Sequence, residues 1–206
     1  MTDTELWNQL KEGNRNALEA LFRRYYDDLF RYGVKFCGSE VIAEDHIQEL
    51  FLRVWKRRDN LGYVNGVKTY LWTALRRRLI NQNNRDSRKS EIYAELGEQT
   101  SRMQFAVEEI IIQRERDQAK RKALKKAMDE LTPRQREIVY LRYYEGMTYE
   151  EIETITSLNY QTIRNYVYES LKVLDEVINK PSEKMISTLL SAQLTCFLFQ
   201  LLAFVI

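Results

Sequence analysis

Apolar residues recur at helical spacing along three successive segments between residues 15 and 79. Such spacing places them on one side of an α-helix, so each segment predicts an amphipathic helix. Breakers separate the segments at Gly38-Ser39 and between Gly62 and Gly66. A helix with one narrow apolar stripe is marginal alone, so we expect the three to pack as one bundle that ends near Arg88. The stripes are Ala17, Leu18, Leu21, Phe22, Tyr25, Leu29 and Phe30; Val41, Ile42, Ile47, Leu50, Phe51, Val54 and Trp55; and Val67, Tyr70, Leu71, Ala74, Leu75 and Leu79.

The composition extends the helical prediction to the whole chain. Seven glycines and two prolines among 206 residues are too few for many short strands joined by tight turns, so we predict an all-α fold of one or two domains. Cys37 and Cys196 cannot make a disulfide framework, and His46 is the single histidine, so no metal and no cofactor are expected. The chain carries no catalytic motif and no export signal at its start, which favours a cytoplasmic protein that is not an enzyme.

Charged residues divide the chain into blocks. Residues 76 to 90 are strongly basic, residues 91 to 109 are acidic, and a second basic run occupies residues 120 to 126. We predict a bundle in residues 1–88, a linker in 89–118, a second helical domain in 119–180 and an apolar tail in 181–206. The alternative for each block is an ordinary solvated helix face.

The second predicted domain begins with two helix-capping patterns. Thr132 with Gln135, and Thr148 with Glu151, have the spacing of a capping box at a helix start. The helix that begins at Thr132 has Ile138, Val139, Leu141 and Tyr144 as its predicted buried stripe.

The helix that begins at Thr148 is short, and a turn at residues 157–159 leads to a longer one. Asn159 can cap this last helix, whose predicted inner face is Ile163, Val167, Leu171 and Leu174. This order is typical of a helix-turn-helix, although spacing alone also fits an ordinary helical hairpin.

The outward face of the last helix favours DNA binding over the hairpin. Arginine reads guanine, asparagine and glutamine read adenine in the major groove, and lysine and tyrosine reach phosphates. The side chains on this face are Gln161, Arg164, Asn165, Tyr168 and Lys172.

The first basic block also has the composition of a nucleic-acid site. Charge and amide groups combine at the end of the third helix, and aromatic rings lie nearby in the sequence. Aromatics beside a basic groove can stack on unpaired bases, and we expect this of Trp72 while Tyr70 belongs to the core. The candidate residues are Trp72, Arg76, Arg77, Arg78 and Asn81.

Three stretches together resemble a known family. Residues 43 to 55, AEDHIQELFLRVW, resemble the AED-x-x-QE-x-F-x-x-x-W signature of bacterial sigma factors in the extracytoplasmic-function group of the sigma-70 family. Residues 131 to 152, LTPRQREIVYLRYYEGMTYEEI, resemble the C-terminal domain of that family, and residues 160 to 165, YQTIRN, resemble its recognition helix, which adds Tyr160 to the DNA-binding candidates. The matches occur in order in both halves of the chain.

The resemblance implies a function and a set of partners. It implies a protein that binds core RNA polymerase, directs it to promoter DNA and helps to open the duplex, with an anti-sigma factor as a further partner. The basic block would meet the melted promoter element, and the last helix would meet the element farther upstream. The polar face of the second helix would contact the polymerase through Asp45, Gln48, Glu49 and Leu52.

Residues 185 to 206 contain no charged side chain and are mostly apolar. They are just long enough to cross a bilayer as a helix, yet several glutamine, serine and threonine residues interrupt them. We prefer a helix docked on the protein over a membrane contact. Two other functions stay open: a helix-turn-helix regulator that acts without the polymerase, and a membrane-tethered interaction protein.

Overall fold

A computed structural model describes residues 1–64, 66–93 and 125–179, with the backbone alone for 82–93, 175 and 177–179. Every regular element in these ranges is helical, which confirms the all-α prediction. The N-terminal bundle consists of α1 (Asp3–Lys11), α2 (Arg15–Cys37), α3 (Glu40–Lys56) and α4 (Val67–Tyr93), with a 3₁₀ turn at Arg58–Asn60. The C-terminal unit contains α5 (Pro133–Val139), a π-turn (Tyr140–Tyr144), α6 (Tyr149–Thr156) and α7 (Tyr160–Asn179).

Helix α1 is an element that the sequence analysis did not predict. Thr2 accepts a hydrogen bond from the backbone N–H of Glu5, and the Glu5 carboxylate accepts one from the Thr2 N–H, which is a complete capping box. Leu6, Trp7 and Leu10 are buried, and the Trp7 ring meets the Tyr70 ring edge-on with 5.0 Å between centroids. The N-terminal bundle therefore has a fourth helix, which covers α2 and α4.

The start of α3 corrects one predicted stripe. Val41 and Ile42 are exposed, whereas Ala43 and Ile47 are fully buried. The buried stripe begins at Ala43 because α2 approaches α3 closely at Gly33. A side-chain carbon built on Gly33 would lie 3.0 Å from the Cβ of Ala43.

We expect Gly33→Leu to lower the free energy of unfolding by about 1–3 kcal/mol, the usual cost of overpacking a close contact. The Ala43 methyl cannot move aside without moving the backbone of α3. Urea unfolding followed by circular dichroism measures the change. Gly62→Leu is the matched control, because no atom lies within 4 Å of a Cβ built there. Equal stability of the two variants would contradict the close contact.

The C-terminal unit has the predicted order of a short helix, a turn and a longer helix. Both capping boxes are present, at Thr132 with Gln135 and at Thr148 with Glu151. The side chain of Asn159 accepts a hydrogen bond of 2.8 Å from the Thr162 N–H at the start of α7.

The inner face of α7 differs at one predicted position. Leu171 is 44% exposed, and Ser170 is buried in its place. Ser170 lies seven residues after Ile163 and three after Val167, so it continues their stripe. Its hydroxyl donates to the backbone oxygen of Tyr166 at 2.6 Å, which satisfies the buried group.

The predicted linker can be compared with the structure only in part, and the predicted tail cannot be compared with it. Helix α4 continues past Arg88 to Tyr93, so the first residues of the predicted linker 89–118 are helical. Residues 94–118 and the predicted tail 181–206 lie outside the described residues. Within the described ranges, none of the helices is both long and apolar enough to cross a bilayer.

Candidate nucleic-acid and polymerase interfaces

The outward face of α7 presents every candidate that the sequence analysis placed there. The Gln161 amide donates to the Asn165 side-chain oxygen at 3.1 Å, which holds the two amides side by side. The Tyr160 ring packs edge-on against Tyr149 of α6 at 5.4 Å, so the start of α7 is held to its neighbour. The exposed side chains are Tyr160, Gln161, Arg164, Asn165, Tyr168 and Lys172.

The turn between α6 and α7 sets the angle at which this face is presented. Ser157 adopts the left-handed conformation, with φ of 58°, and ends α6. Thr156 is buried and its hydroxyl donates to the backbone oxygen of Ile152 at 2.7 Å. Ile152, Ile155 and Ile163 form the apolar contact between the two helices. The geometry is that of a helix-turn-helix, with α7 as the outer helix.

The polar face of α3 is also exposed. Asp45, Gln48, Glu49 and Leu52 all lie on the surface, and Leu52 is 49% exposed. Glu49 forms ion pairs with Arg53, at 3.1 Å, and with Arg78 of α4. Slight burial opposes ionisation of Glu49, but Arg78 and Arg53 outweigh it and hold the pKa of this carboxyl below its usual value. The face therefore combines a half-exposed leucine with the carboxylates of Asp45 and Glu49, the second of which is paired with two arginines.

The basic block of α4 is divided between surface and interior. Arg77 and Asn81 are exposed. Arg78 is mostly covered and pairs with Glu49. Trp72 is 0% exposed and Arg76 is 4% exposed. In this conformation Trp72 cannot stack on bases and Arg76 cannot contact DNA, so both predictions are corrected. The reason is that packing against neighbouring helices, rather than residue type, decides whether a side chain is exposed.

Arg76 is buried because it pairs with Glu137 of α5. The Arg76 Nε lies 2.7 Å from one carboxylate oxygen, and its Nη2 lies 3.4 Å from the other. The hydroxyl of Tyr32 donates to the first oxygen at 2.8 Å, and Arg134 Nη1 lies 3.0 Å from the second. Burial and then the charge of Glu137 raise the pKa of Tyr32 well above its usual value. Glu137 thus joins α2, α4 and α5.

Sequence reasoning missed Glu137. One signal could have found it, since it lies four residues before Leu141 and seven before Tyr144, on the stripe that was predicted to be buried. A charged residue at a buried position needs a partner of opposite charge. The sequence alone did not show which arginine would supply it.

A second ion pair joins α4 to the C-terminal unit. The Lys68 ammonium lies 3.0 Å from the Glu145 carboxylate and donates to the Glu145 backbone oxygen at 2.8 Å. The Tyr140 hydroxyl donates to the same carboxylate at 3.0 Å. Burial raises the pKa of Glu145, although Lys68 and Tyr140 oppose the shift. In addition, Thr69 donates to Glu151 of α6 at 3.0 Å.

No metal centre is formed by the residues that the structure describes, because no group of three or more metal-binding side chains meets there. His46 is partly buried on α3 near Arg78. Burial first, and the positive charge of Arg78 second, lower its pKa.

Comparison with known proteins agrees with this arrangement. The family model for sigma-70 region 2 matches residues 21–89, and the model for sigma-70 region 4 matches residues 121–174. The ECF RNA polymerase sigma factor BldN of Streptomyces coelicolor is 24% identical over 176 residues, which cover 84% of this chain but 65% of BldN, slightly less than two thirds. SigL of Mycobacterium tuberculosis, also an ECF RNA polymerase sigma factor, is 23% identical over 167 residues, 79% of this chain and 91% of SigL.

A solved structure shows the same fold. The sigma factor RpoE from Bartonella quintana, in complex with the anti-sigma factor NepR, superposes with a TM-score of 0.59 at 20% identity, over 79% of this chain and 96% of that one. The two family models, of which the second covers the helix-turn-helix, define the class as DNA-binding transcription factors. The chain belongs to the sigma-70 family of RNA polymerase sigma factors, in its extracytoplasmic-function group. Sigma factors are transcription initiation factors that bind core RNA polymerase and promoter DNA.

Proposed function

We propose that this sigma factor binds core RNA polymerase through the exposed face of α3 and reads the upstream promoter element through the exposed face of α7. The observation that carries the proposal is that both faces are open to solvent on one molecule, at the residues where the two sigma motifs lie. On α3 an apolar side chain, Leu52, is surrounded by Asp45, Gln48 and Glu49. An apolar anchor with a polar rim is the usual anatomy of a protein interface.

The exposed end of the α4 basic block supports a second DNA contact. Arg77 and Asn81 combine a cation with an amide on the surface of the N-terminal bundle. Cations neutralise phosphates, and amides pair with base edges, so this end suits the melted promoter element. This DNA contact could include three further residues of the block only if a change of conformation exposed them: Trp72, Arg76 and Arg78.

The chain works, in this proposal, without catalysis of its own and in the cytoplasm, where the polymerase that it directs acts. An anti-sigma factor is proposed as its regulator. The support is the shared fold with RpoE, whose solved structure contains the anti-sigma factor NepR.

The test is transcription in vitro with purified chain, core RNA polymerase that lacks any other sigma factor, and a library of promoter fragments. We expect a stable complex with the core enzyme and transcripts from a subset of fragments that share two spaced elements. Failure to bind core polymerase would overturn the proposal. Sequence-specific DNA binding without polymerase binding would favour the helix-turn-helix regulator in its place.

Arg164→Ala is expected to weaken holoenzyme binding to the selected promoters by about 1–3 kcal/mol, the value of a bidentate contact between arginine and guanine. Arg164 is exposed near the start of α7, where an outer helix reaches base edges. Gel-shift titration with the preferred upstream element and with single-base variants of it measures the loss. An equal loss on every upstream sequence would make Arg164 a phosphate contact.

A further inference from the structure

One carboxylate lies in line with the two amides on the exposed face of α7. Gln161, Asn165 and Glu169 are spaced four residues apart, so each lies about one helical turn beyond the last. All three side chains are exposed. Glu169 therefore belongs to the surface that we assign to the upstream promoter element, although its charge has the same sign as that of DNA.

Gln135 of α5 holds the Glu169 carboxylate. The side-chain amide of Gln135 donates to Glu169 Oε2 at 3.4 Å. Gln135 is itself fixed by the capping box of α5, because its Oε1 accepts hydrogen bonds of 2.9 Å from both the backbone N–H and the hydroxyl of Thr132. The capping box of one helix thus orients a carboxylate on another.

The other oxygen of this carboxylate, Oε1, is left to accept a hydrogen bond. Within the part of the chain that the structure describes, Glu169 has no ion pair, and its carboxylate accepts one hydrogen bond, from Gln135. A carboxylate accepts and cannot donate. In the major groove, cytosine and adenine present amino groups, whereas guanine and thymine present acceptors, and a carboxylate suits the N4 amino group of cytosine.

The charge of the helix-turn-helix gives base contacts a larger share of the binding. Between residues 148 and 176, carboxylates outnumber cations six to two. Neutralisation of phosphates by cations supplies the affinity that does not depend on sequence. A unit with so few cations gains little from phosphates. A carboxylate on its DNA face therefore lowers affinity for any sequence that offers it no donor.

We propose that Glu169 is a specificity-determining residue of the α7 face, which accepts a hydrogen bond from the N4 amino group of a cytosine in the upstream promoter element, and that Gln135 is the positioning residue that orients it. The inference rests on the proposed function, because it requires α7 to lie in the major groove of that element. It adds one base to those that α7 reads. The selection uses repulsion as well as attraction, since a base without a donor leaves the carboxylate desolvated and unpaired.

The test measures binding of the holoenzyme, formed from core RNA polymerase and the 206-residue chain, to promoter fragments with a randomised upstream element. Sequencing of the bound fragments gives the base preference at each position. For the unaltered chain we expect cytosine at one position to be preferred at least about fivefold, the low end of the effect of a specific base contact. With Glu169→Gln, this preference should fall to about twofold or less, because an amide can both donate and accept. Preferences at the other positions should stay.

Glu176→Gln is the matched control. It removes the same charge from an exposed position of the same helix, seven residues farther along. It should change affinity for all fragments alike and keep the cytosine preference. Equal effects of the two variants at every position would reduce the role of Glu169 to net charge and overturn the inference. A cytosine preference that survives Glu169→Gln, or that is absent from the unaltered chain, would also overturn it.

Gln135→Glu tests the positioning role. Glutamate keeps the acceptor of the capping box with Thr132 but replaces the donor to Glu169 by a second carboxylate. We expect a weaker cytosine preference, with the same preferences elsewhere in the element and the same helix content by circular dichroism. An unchanged cytosine preference would contradict the role of Gln135.

The outcomes separate this inference from the proposed function. If the holoenzyme selects an upstream element whose bases do not depend on Glu169, the inference fails and the proposed function stands. If no holoenzyme forms, or if it selects no upstream element, the proposed function fails and this inference fails with it.

Discussion

Replacement of Trp72 by alanine is expected to lower the free energy of unfolding by about 3–5 kcal/mol, the usual cost of deleting a buried indole. The ring is 0% exposed and meets Tyr25 edge-on, with 6.0 Å between centroids. A residue that stacked on bases from the surface would cost far less to remove. Urea unfolding followed by circular dichroism measures the change, and a loss below about 1 kcal/mol would contradict the buried position.

Trp72→Phe separates packing from hydrogen bonding at the same site. The buried indole N–H has no hydrogen-bond acceptor among the described residues. Its removal therefore breaks no hydrogen bond and eliminates an unsatisfied buried donor. We therefore expect a clearly smaller loss of stability than for alanine. An equal loss in the two variants would show that the indole N–H has a partner that matters.

Leu52→Asp is expected to weaken binding to core RNA polymerase about 30-fold or more, which is the effect of losing an interface residue worth about 2 kcal/mol. Leu52 is the apolar member of the exposed α3 face, and it is 49% exposed. Aspartate there would add a charge that must be desolvated on binding. Because about half of the side chain is already exposed to solvent, the free energy of unfolding should change by no more than about 0.5 kcal/mol. Competition with a labelled sigma factor for core polymerase measures the loss.

Leu171→Asp is the matched control for this experiment. Leu171 is 44% exposed, on α7, and it lies outside the proposed polymerase face. It should retain core binding close to that of the unaltered chain. If both leucine variants bind normally while Arg164→Ala still loses promoter affinity, polymerase binding would have to be assigned to another surface.

Local signals predicted the starts of the three helices of the C-terminal unit. The capping boxes at Thr132 and Thr148 and the cap at Asn159 involve neighbours within three residues, so sequence spacing is enough to place them. The same spacing at Thr2 and Glu5 marks α1, and it was overlooked. Exposure of the α7 face followed from the helical period, because Ile163 and Val167 identify the opposite side as buried.

Exposure on α4 could not be predicted in this way. Helix α4 packs against α2 and α3 of its own bundle, where Leu71 and Leu75 are buried, and it also packs against α6 of the C-terminal unit. From the sequence, the basic residues on the side that faces the C-terminal unit are therefore predicted to be exposed. In the structure one of them, Arg76, is buried. Its partner, Glu137, lies 61 residues away.

The capped helix starts at Thr132, Thr148 and Asn159, the helix-turn-helix and the polar faces of α3 and α7 were already determined by the order of residues, because caps and amphipathic periods depend on neighbours a few positions apart. The burial of Trp72 and the pairing of Arg76 with Glu137 were decided by the tertiary structure alone. A charged side chain can be either solvated by water or buried in an ion pair, and these two states have similar free energies when only the neighbouring residues in the sequence are considered. Only the approach of a distant helix, which removes water and supplies the opposite charge, selects between them.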